Sequence, residues 1–430
     1  MQRIRMSLPH YRENGWEPVI LTIEDKFQDG VREPALLTTL PRDLRVIRVP
    51  AIPLPLARWC GMGNTGLRML PYLLWFGIRL LQAEKFDLIF FSNTQFITFP
   101  VGRLWRAWFG VPYVIDLQDP WRTDYYERSG SRRPPGGWKY QFARFQAWLL
   151  EGWTYRRAGG FMSVSPGYLR ELTGRYAWFA KIPAEVIRFG ASRQDMDHAA
   201  RRPLDPPLFQ RQKGELHLLY TGASGPVMPH SLSVLFDGVR KYRAQNPERG
   251  NRLRFHFVGT SYVAPGTGVM SVVPVAETCG VADLVDEIPH RIGHLEALAW
   301  QLQADVLLLP GSSDLAYSPS KLYPYFLTGR PILGIVFRNS VMEHLLEELG
   351  CAQLVRFSEN APRDEAHERL AAFLDLAFDG FPAGSRAARN EKLFRETYLV
   401  EELTHRQCEL FNRVIVPTRT RDRTIASVAV

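Results

Sequence analysis

Asp305-Val-Leu-Leu-Leu-Pro310, a short polar loop, then Ser318-Pro-Ser-Lys-Leu-Tyr-Pro-Tyr-Phe-Leu-Thr-Gly-Arg-Pro331: the reading of this passage decides the fold. An unbroken apolar run marks a strand buried on both faces, as in a parallel sheet covered by helices. A helix follows, with Ser320 and Lys321 standing where it starts. The first turn of a helix presents unpaired N–H groups and a positive dipole end, and Lys321 adds a full charge beside them. The pattern suits an anion, above all a diphosphate; the plainer alternative is that Ser320 caps the helix and Lys321 is solvated. Pro324 is tolerated in a first turn but disfavours helical geometry at Tyr323. The spacing therefore predicts a helix beginning in earnest at Pro324, with residues 320–323 as a loop.

Outward from this passage, apolar runs alternate with helical patterns. The first half holds Pro18-Val-Ile-Leu-Thr-Ile23, Phe86-Asp-Leu-Ile-Phe-Phe91, Pro112-Tyr-Val-Ile-Asp116 and Gly160-Phe-Met-Ser-Val164. Helices are expected there over residues 2–14, 99–109 and 138–157. The second half holds Leu216-His-Leu-Leu-Tyr220, Leu253-Arg-Phe-His-Phe-Val258, Val272-Val-Pro-Val275, Val285-Asp-Glu-Ile288, Val306-Leu-Leu-Leu309 and Pro331-Ile-Leu-Gly-Ile-Val336 as strands, with helices near residues 231–244 and 294–304. Residues 193–214, rich in Arg, Pro, Asp and Gln, read as a linker. Strands alternating with helices imply two Rossmann-like, doubly wound α/β domains facing a cleft, with ligands outside the carboxyl ends of the strands.

The 430 residues are 46% hydrophobic and 23% charged, enough to bury two cores. The longest apolar passage, residues 69–81, contains Arg79 and is too short and too interrupted to span a membrane. No secretory signal is visible, and Cys60, Cys279, Cys351 and Cys408 lie too far apart for a zinc site or a disulfide framework. A cytoplasmic protein with buried thiols is expected. Residues 1–200 hold 27 basic and 18 acidic side chains, a balance of +9, whereas the rest holds 26 of each. All the excess charge lies in the first half, where it suits an anionic lipid surface, nucleic acid or an anionic substrate. Basic aromatic stretches at residues 67–81, 104–109 and 138–153 suit a protein lying on an anionic membrane; they suit equally a packed core with solubilising charges. The arginines interleave with core-like runs and form no nucleic-acid motif, so no nucleic-acid partner is expected.

Three further turns place glycine after a strand: Tyr220-Thr-Gly-Ala-Ser-Gly225, Val258-Gly-Thr260 and Pro310-Gly-Ser-Ser-Asp314. Glycine there lets backbone N–H groups approach a phosphate, and several such turns on one edge make a shared ligand site.

Ser320-Lys-Leu-Tyr323 with the downstream Gly329-Arg-Pro-Ile-Leu333, behind an Ala-Asp-Val-Leu-Leu-Leu-Pro strand, resembles the donor-binding segment of glycosyltransferase family 4, a group with the two-domain GT-B fold. Supporting likeness is spread over Trp16-Glu-Pro-Val-Ile-Leu-Thr22, Pro112-Tyr-Val-Ile-Asp-Leu-Gln-Asp-Pro-Trp121, Ser163-Val-Ser-Pro-Gly-Tyr-Leu169, Tyr220-Thr-Gly222 and Phe257-Val-Gly259. The resemblance implies sugar transfer from a nucleotide-sugar donor to an acceptor, usually with retention, with no cofactor and no bound metal. It makes Ser318, Ser320, Lys321 and Leu322 contacts to the donor diphosphate and puts Gly222 and Gly259 on the nucleotide side. Asp119 becomes the catalytic candidate, orienting acceptor or donor sugar, with Gln118 in place of the usual histidine. Arg291 or His230 would supply charge that relatives carry just after the Gly222 turn. The family's acidic pair is absent: Ala316 and Pro324 stand at its positions, and Asp314 lies two residues off.

Relatives begin with a strand and a Gly-rich loop before the helix matching residues 2–14, so the resemblance implies that this first strand is missing. The expected division is 1–192 for the acceptor-side domain, 193–214 for the linker and 215–393 for the nucleotide-sugar domain. A helix over 394–415 would cross back to the first domain, with 416–430 as a tail. The expected function is a cytoplasmic glycosyltransferase on the inner face of an anionic membrane, building a cell-surface glycan on a glycan or lipid-linked acceptor. The alternative is a GT-B-shaped scaffold that has lost catalysis and partners an active transferase.

Overall fold

The computed structural model describes residues 2–28, 33–59, 61, 63–122, 137–201, 207–224, 228–261, 268–315, 317, 319–358, 363–381, 388–415 and 423–429. The chain divides into two compact units, one made of Met1–Gly30, Leu40–Phe189 and Val400–Val430, the other of Val31–Thr39 and Gly190–Leu399.

The first unit is built on β1 (Trp16–Ile23), β2 (Arg45–Val49), β3 (Leu88–Phe91), β4 (Tyr113–Leu117), β5 (Gly160–Ser163) and β6 (Ala184–Val186). Alternating side chains of these strands supply two cores, as the two-residue period of a strand requires. Ile89, Phe91, Ile115 and Phe161 meet Met69, Leu73 and Trp105 of the helices Thr65–Ala83 and Phe99–Phe109 on one face. Leu88, Phe90, Val114 and Met162 meet Ile4, Leu403 and Phe411 of the helices Gln2–Ser7 and Val400–Val414 on the other.

The first strand expected to be missing has a substitute. Strand β13 (Arg423–Ala429) lies between β1 and β3, giving the all-parallel order β2-β1-β13-β3-β4-β5-β6. Its register runs from Trp16 opposite Arg423 to Thr22 opposite Ala429 on one side, and from Leu88 opposite Ile425 to Phe91 opposite Val428 on the other. Ile425 is fully buried. The supposed tail thus fills the centre of the sheet, where an open slot would leave backbone groups unpaired on both neighbours.

In the second unit β7 (Leu216–Thr221), β8 (Leu253–Val258), β9 (Val285–Ile288), β10 (Val306–Pro310), β11 (Ile332–Phe337) and β12 (Ala352–Phe357) form a parallel sheet ordered β12-β11-β10-β7-β8-β9. Strand β10 reads as five buried residues, as its unbroken apolar run requires.

Several expected elements differ. Residues 193–200, expected as linker, form the helix Arg193–Ala200, whose Met196 and Ala199 are buried with Leu295, Leu298 and Ala299 of the helix His294–Gln303. Val272-Val-Pro-Val275 opens the helix Val273–Thr278, with Pro274 in its first turn, where a missing N–H costs nothing. The amino-terminal helix ends at Ser7 and passes into 3-10 turns before Gly15, at φ 74°. The carboxyl-terminal helical stretch is two helices, Glu391–Tyr398 and Val400–Val414, with extended backbone at Leu399 between them.

Cys279, Cys351 and Cys408 are buried free thiols, whereas Cys60 lies outside the described residues. No described helix is long and apolar enough to cross a membrane.

Candidate active site

The second unit's sheet turns direction between β7 and β10: the chain proceeds from β7 outward to β9, returns to β10, and proceeds outward again to β12. Ligands of doubly wound sheets bind at the carboxyl edge of such a switch point. Gly222 leaves β7 there, its N–H bonded to Val258 O at 2.7 Å, with φ at 125°, a value open to glycine alone. Gly259 leaves β8 at φ 72°, where an added Cβ would stand 3.9 Å from Gly222 Cα. A Cβ on Gly222 would stand 2.0 Å from Lys321 Cε, so the glycine is also the space that the lysine occupies.

Lys321 Nζ donates to Tyr220 Oη at 2.5 Å and to Ala223 O at 3.3 Å, and lies 4.6 Å from the Tyr220 ring centroid. Burial pushes its pKa down to about 8. Among the described residues no carboxylate pairs with it, so Lys321 is a desolvated cation held against the Gly222 turn.

The helix behind Lys321 begins at Leu322, not Pro324, with Lys321 itself at φ −66° and ψ −23°. Packing overrides the pre-proline preference: Tyr323 stacks on Tyr398 at 4.6 Å, and Phe326 lies flat on Phe394 at 4.0 Å. Pro324 falls in the first turn and displaces no intrahelical bond. Leu322 is fully buried, with its N–H bonded to Pro319 O at 3.2 Å, and Ser320 is exposed. Ser318 and Ala316 lie outside the described residues.

The secondary candidates are seated as follows. His230 stacks on Phe357 at 5.2 Å, Arg291 is exposed in the loop after β9, and Asp314 is exposed, with its N–H bonded to Ser312 Oγ at 3.0 Å. Sequence reading missed the residues that brace the turn. Tyr325 Oη accepts the Thr221 N–H at 2.9 Å, and Gln301 Nε2 donates to Thr221 Oγ1 at 2.8 Å. It missed Glu287 too, a buried carboxylate that accepts from Thr260 Oγ1 at 2.5 Å and from the N–H groups of Ser271, Val272 and Val273 at 2.9 Å each. It caps the helix Val273–Thr278 and ties the end of β8 to that helix. Glu33 likewise occupies the start of the helix His294–Gln303, accepting from His294 N at 2.6 Å and Leu295 N at 2.9 Å. These carboxylates carried no sequence signal because their partners are backbone groups.

In the first unit, Gln118 and Asp119 end β4. Gln118 is tied inward, donating to Asp116 Oδ2 at 2.9 Å and Ser92 Oγ at 3.2 Å, and Asp116 pairs with buried Arg3 at 3.0 Å. Asp119 has an exposed surface, yet surrounding protein desolvates its carboxyl group enough to raise its pKa. Beyond it Trp121 stacks on Phe96 at 5.9 Å, and Arg122 Nη1 reaches Tyr176 Oη at 3.4 Å. A cavity of about 960 Å3 opens beside these residues, lined at this end by Asn64, Gln95, Phe96, Trp121 and Arg122. Among the described residues no group of three His, Cys, Asp or Glu side chains is placed to hold a metal.

Two parallel-sheet units of this kind are the GT-B fold. The chain matches HepE from Anabaena, solved with UDP and glucose, at a TM-score of 0.54 and 14% identity over 95% of this chain and 94% of that one. It matches alpha,alpha-trehalose 6-phosphate synthase from Burkholderia multivorans at 0.54 and 12%, over 93% and 99%. The N-terminal domain of trehalose-6-phosphate phosphatase from Candida albicans matches at 0.53 and 13%, over 93% and 97%. By class the fold is that of the GT-B glycosyltransferases. More narrowly, residues 2–190 match the model of the glycosyl transferase 4-like domain. No curated protein sequence matches the chain.

Proposed function

We propose that this glycosyltransferase moves a sugar from a nucleotide-sugar donor to a glycan or lipid-linked acceptor in cell-surface polysaccharide biosynthesis, with retention, at the face of an anionic membrane. The observation that carries the reading is Lys321: a half-buried ammonium, its pKa pushed down to about 8, set against the Gly222 turn at the switch point. The donor diphosphate bridges those backbone turns and Lys321, which stabilises the negative charge that develops as the sugar leaves. In transfer with retention the bond from C1 to the diphosphate breaks on the face where the acceptor oxygen bonds. The acceptor proton then passes to the departing diphosphate oxygen, so no protein base is consumed. Asp119 orients a sugar hydroxyl, and Ser320, exposed beside Lys321, adds a hydroxyl donor to the diphosphate.

The UDP bound in HepE makes uridine nucleotides the first to try. Calorimetric titration with UDP, GDP, ADP and their sugars, together with donor hydrolysis, tests the reading; binding to one series supports it, and no binding to any overturns it. A second reading, a scaffold without turnover, is favoured by Pro324, which stands where the resemblance expects a carboxylate. Copurification with an active transferase, with no donor hydrolysis by this chain alone, would establish that reading instead.

A further inference from the structure

The helix Trp138–Tyr155 of the first unit packs by one face only. Ala147, Glu151, Thr154 and Tyr155 are buried, whereas Phe142, Phe145, Trp148 and Leu149 are each between 55% and 60% exposed. Phe142, Phe145 and Leu149 follow helical spacing and form one apolar stripe, and the Phe145 and Trp148 rings stack at 6.1 Å. Contiguous exposed apolar surface of this kind marks a binding site.

This stripe is continuous with the cavity beside β3 and β4. Phe142, Phe145 and Trp148 line one part of the same space that Trp121, Arg122 and Gln95 line near the end of β4. One end therefore carries Arg122 with Gln95 and Trp121, close in sequence to the sugar-orienting candidate Asp119; the other sets Phe142, Phe145 and Trp148 beside Gln141 and Arg144. A soluble glycan, whose hydroxyl groups all require partners, is a poor match for the exposed faces of Phe142, Phe145 and Leu149, which offer no polar group. A hydrocarbon chain is a good one.

From this juxtaposition we infer that the groove takes an amphiphilic acceptor: a hydroxyl-bearing head beside Arg122 and Trp121, and a hydrocarbon chain laid along Phe142, Phe145, Trp148 and Leu149. The inference rests on the transferase reading and names the class of its acceptor. The acceptor is thus a lipid, and the aromatic end of the groove is the side from which its chain enters. Trp148, stacked on Phe145 and more than half exposed, reports occupancy directly.

The full chain is titrated with glucose and with octyl, decyl and dodecyl β-glucoside below their micelle-forming concentrations, followed by calorimetry and tryptophan fluorescence. Affinity is expected to rise roughly threefold per added methylene, somewhat under the full transfer value because the stripe stays partly wet. The variant Phe142→Ser, Phe145→Ser, Trp148→Ser changes exposed side chains only and is expected to flatten that dependence at least tenfold over the series. Phe145→Ser alone serves as a milder check, with circular dichroism confirming the fold. UDP is titrated into the same samples. Equal affinity for glucose and dodecyl glucoside, or an undiminished chain-length slope in the triple variant, overturns the lipid acceptor while UDP binding leaves the transferase standing. Failure of nucleotide binding as well overturns both.

Discussion

Replacing Lys321 by methionine keeps the length of the side chain and removes its charge, and two opposite effects follow. In the free protein the ammonium is desolvated, its pKa moved from 10.5 to about 8. At about 1.36 kcal/mol per unit this sets a ceiling of roughly 3 kcal/mol on what the charge withdraws from stability at neutral pH. Loss of the bonds to Tyr220 Oη and Ala223 O offsets part of it, so Lys321→Met should stabilise the unliganded fold by roughly 1–2 kcal/mol. The sign follows from proton binding. Between pH 8 and 10.5 the unfolded chain holds a proton that the folded chain has lost. The wild type's handicap is therefore complete below pH 8 and relieved as pH rises toward 10.5, and the variant's advantage fades over the same window. With the diphosphate in place the ammonium gains a charged partner, and its removal should weaken UDP about 10- to 100-fold, the worth of one charge-assisted hydrogen bond. Wild-type UDP affinity should also fall above pH 8, as the free protein loses the proton that the complex retains. Calorimetric titration and thermal melts at pH 7 and 9.5 read both effects. A variant that melts lower at pH 7 and binds UDP unchanged would make Lys321 a structural cation and refute the anion site.

Gly222→Ala should act on the same site from the other side. The new methyl meets Lys321 Cε and a φ of 125°, so UDP affinity should fall at least tenfold and stability by roughly 1–3 kcal/mol, read by the same two assays. Ile425→Asp puts an unpaired charge at the fully buried centre of the first sheet and should cost more than about 3 kcal/mol. Hydrogen exchange should then show opening of β1, β3 and β13 while β7, β8 and β10 stay protected. The stacked pair His217 and His256, their ring nitrogens 3.0 Å apart, has pKa values lowered by burial, that of His256 to about 4. Because the unfolded chain protonates first, stability should fall as pH drops below 6.5 and level off near 4, by at most about 3 kcal/mol for His256. His256→Gln should flatten that acid limb in a urea titration series.

The parallel sheets were legible because their strands are short, unbroken apolar runs between helical patterns; β10, with five buried residues in a row, is the plainest case. Lys321 and Gly222 were legible as a pair because a chemical likeness named them together. What hid β13 was its composition: Thr424-Ile-Ala-Ser-Val-Ala429 is small, short and preceded by arginines, and its strand character comes from two neighbours that stand some 400 and some 340 residues earlier in the chain. The braces Tyr325, Gln301 and Glu287 were hidden for a related reason. Their meaning lies in a backbone N–H or a hydroxyl brought near by folding, which leaves no spacing to read. Val272-Val-Pro-Val275 misled because three β-formers outweigh one proline until Glu287 supplies a cap for the helix they open.

The polar groups buried in this chain separate into two kinds, and the separation locates the chemistry. Glu287 takes hydrogen bonds on both oxygens, Glu33 caps a helix, and Arg3 faces Asp116 at 3.0 Å. Their charges are met within the fold, so removing a partner should be felt as lost stability alone. Lys321 is the contrasting case: a half-buried, desolvated ammonium whose contacts are a phenol, a carbonyl and an aromatic ring, beside a glycine at φ 125° that leaves it room. A fold selected for stability alone would place methionine or leucine there. On the proposed reading, a ligand at Lys321 reverses the sign of the stability that the desolvated lysine withdraws in the empty protein. An anion of two or more negative charges at the switch point does so, which is why the stability and affinity of Lys321→Met are expected to move in opposite directions.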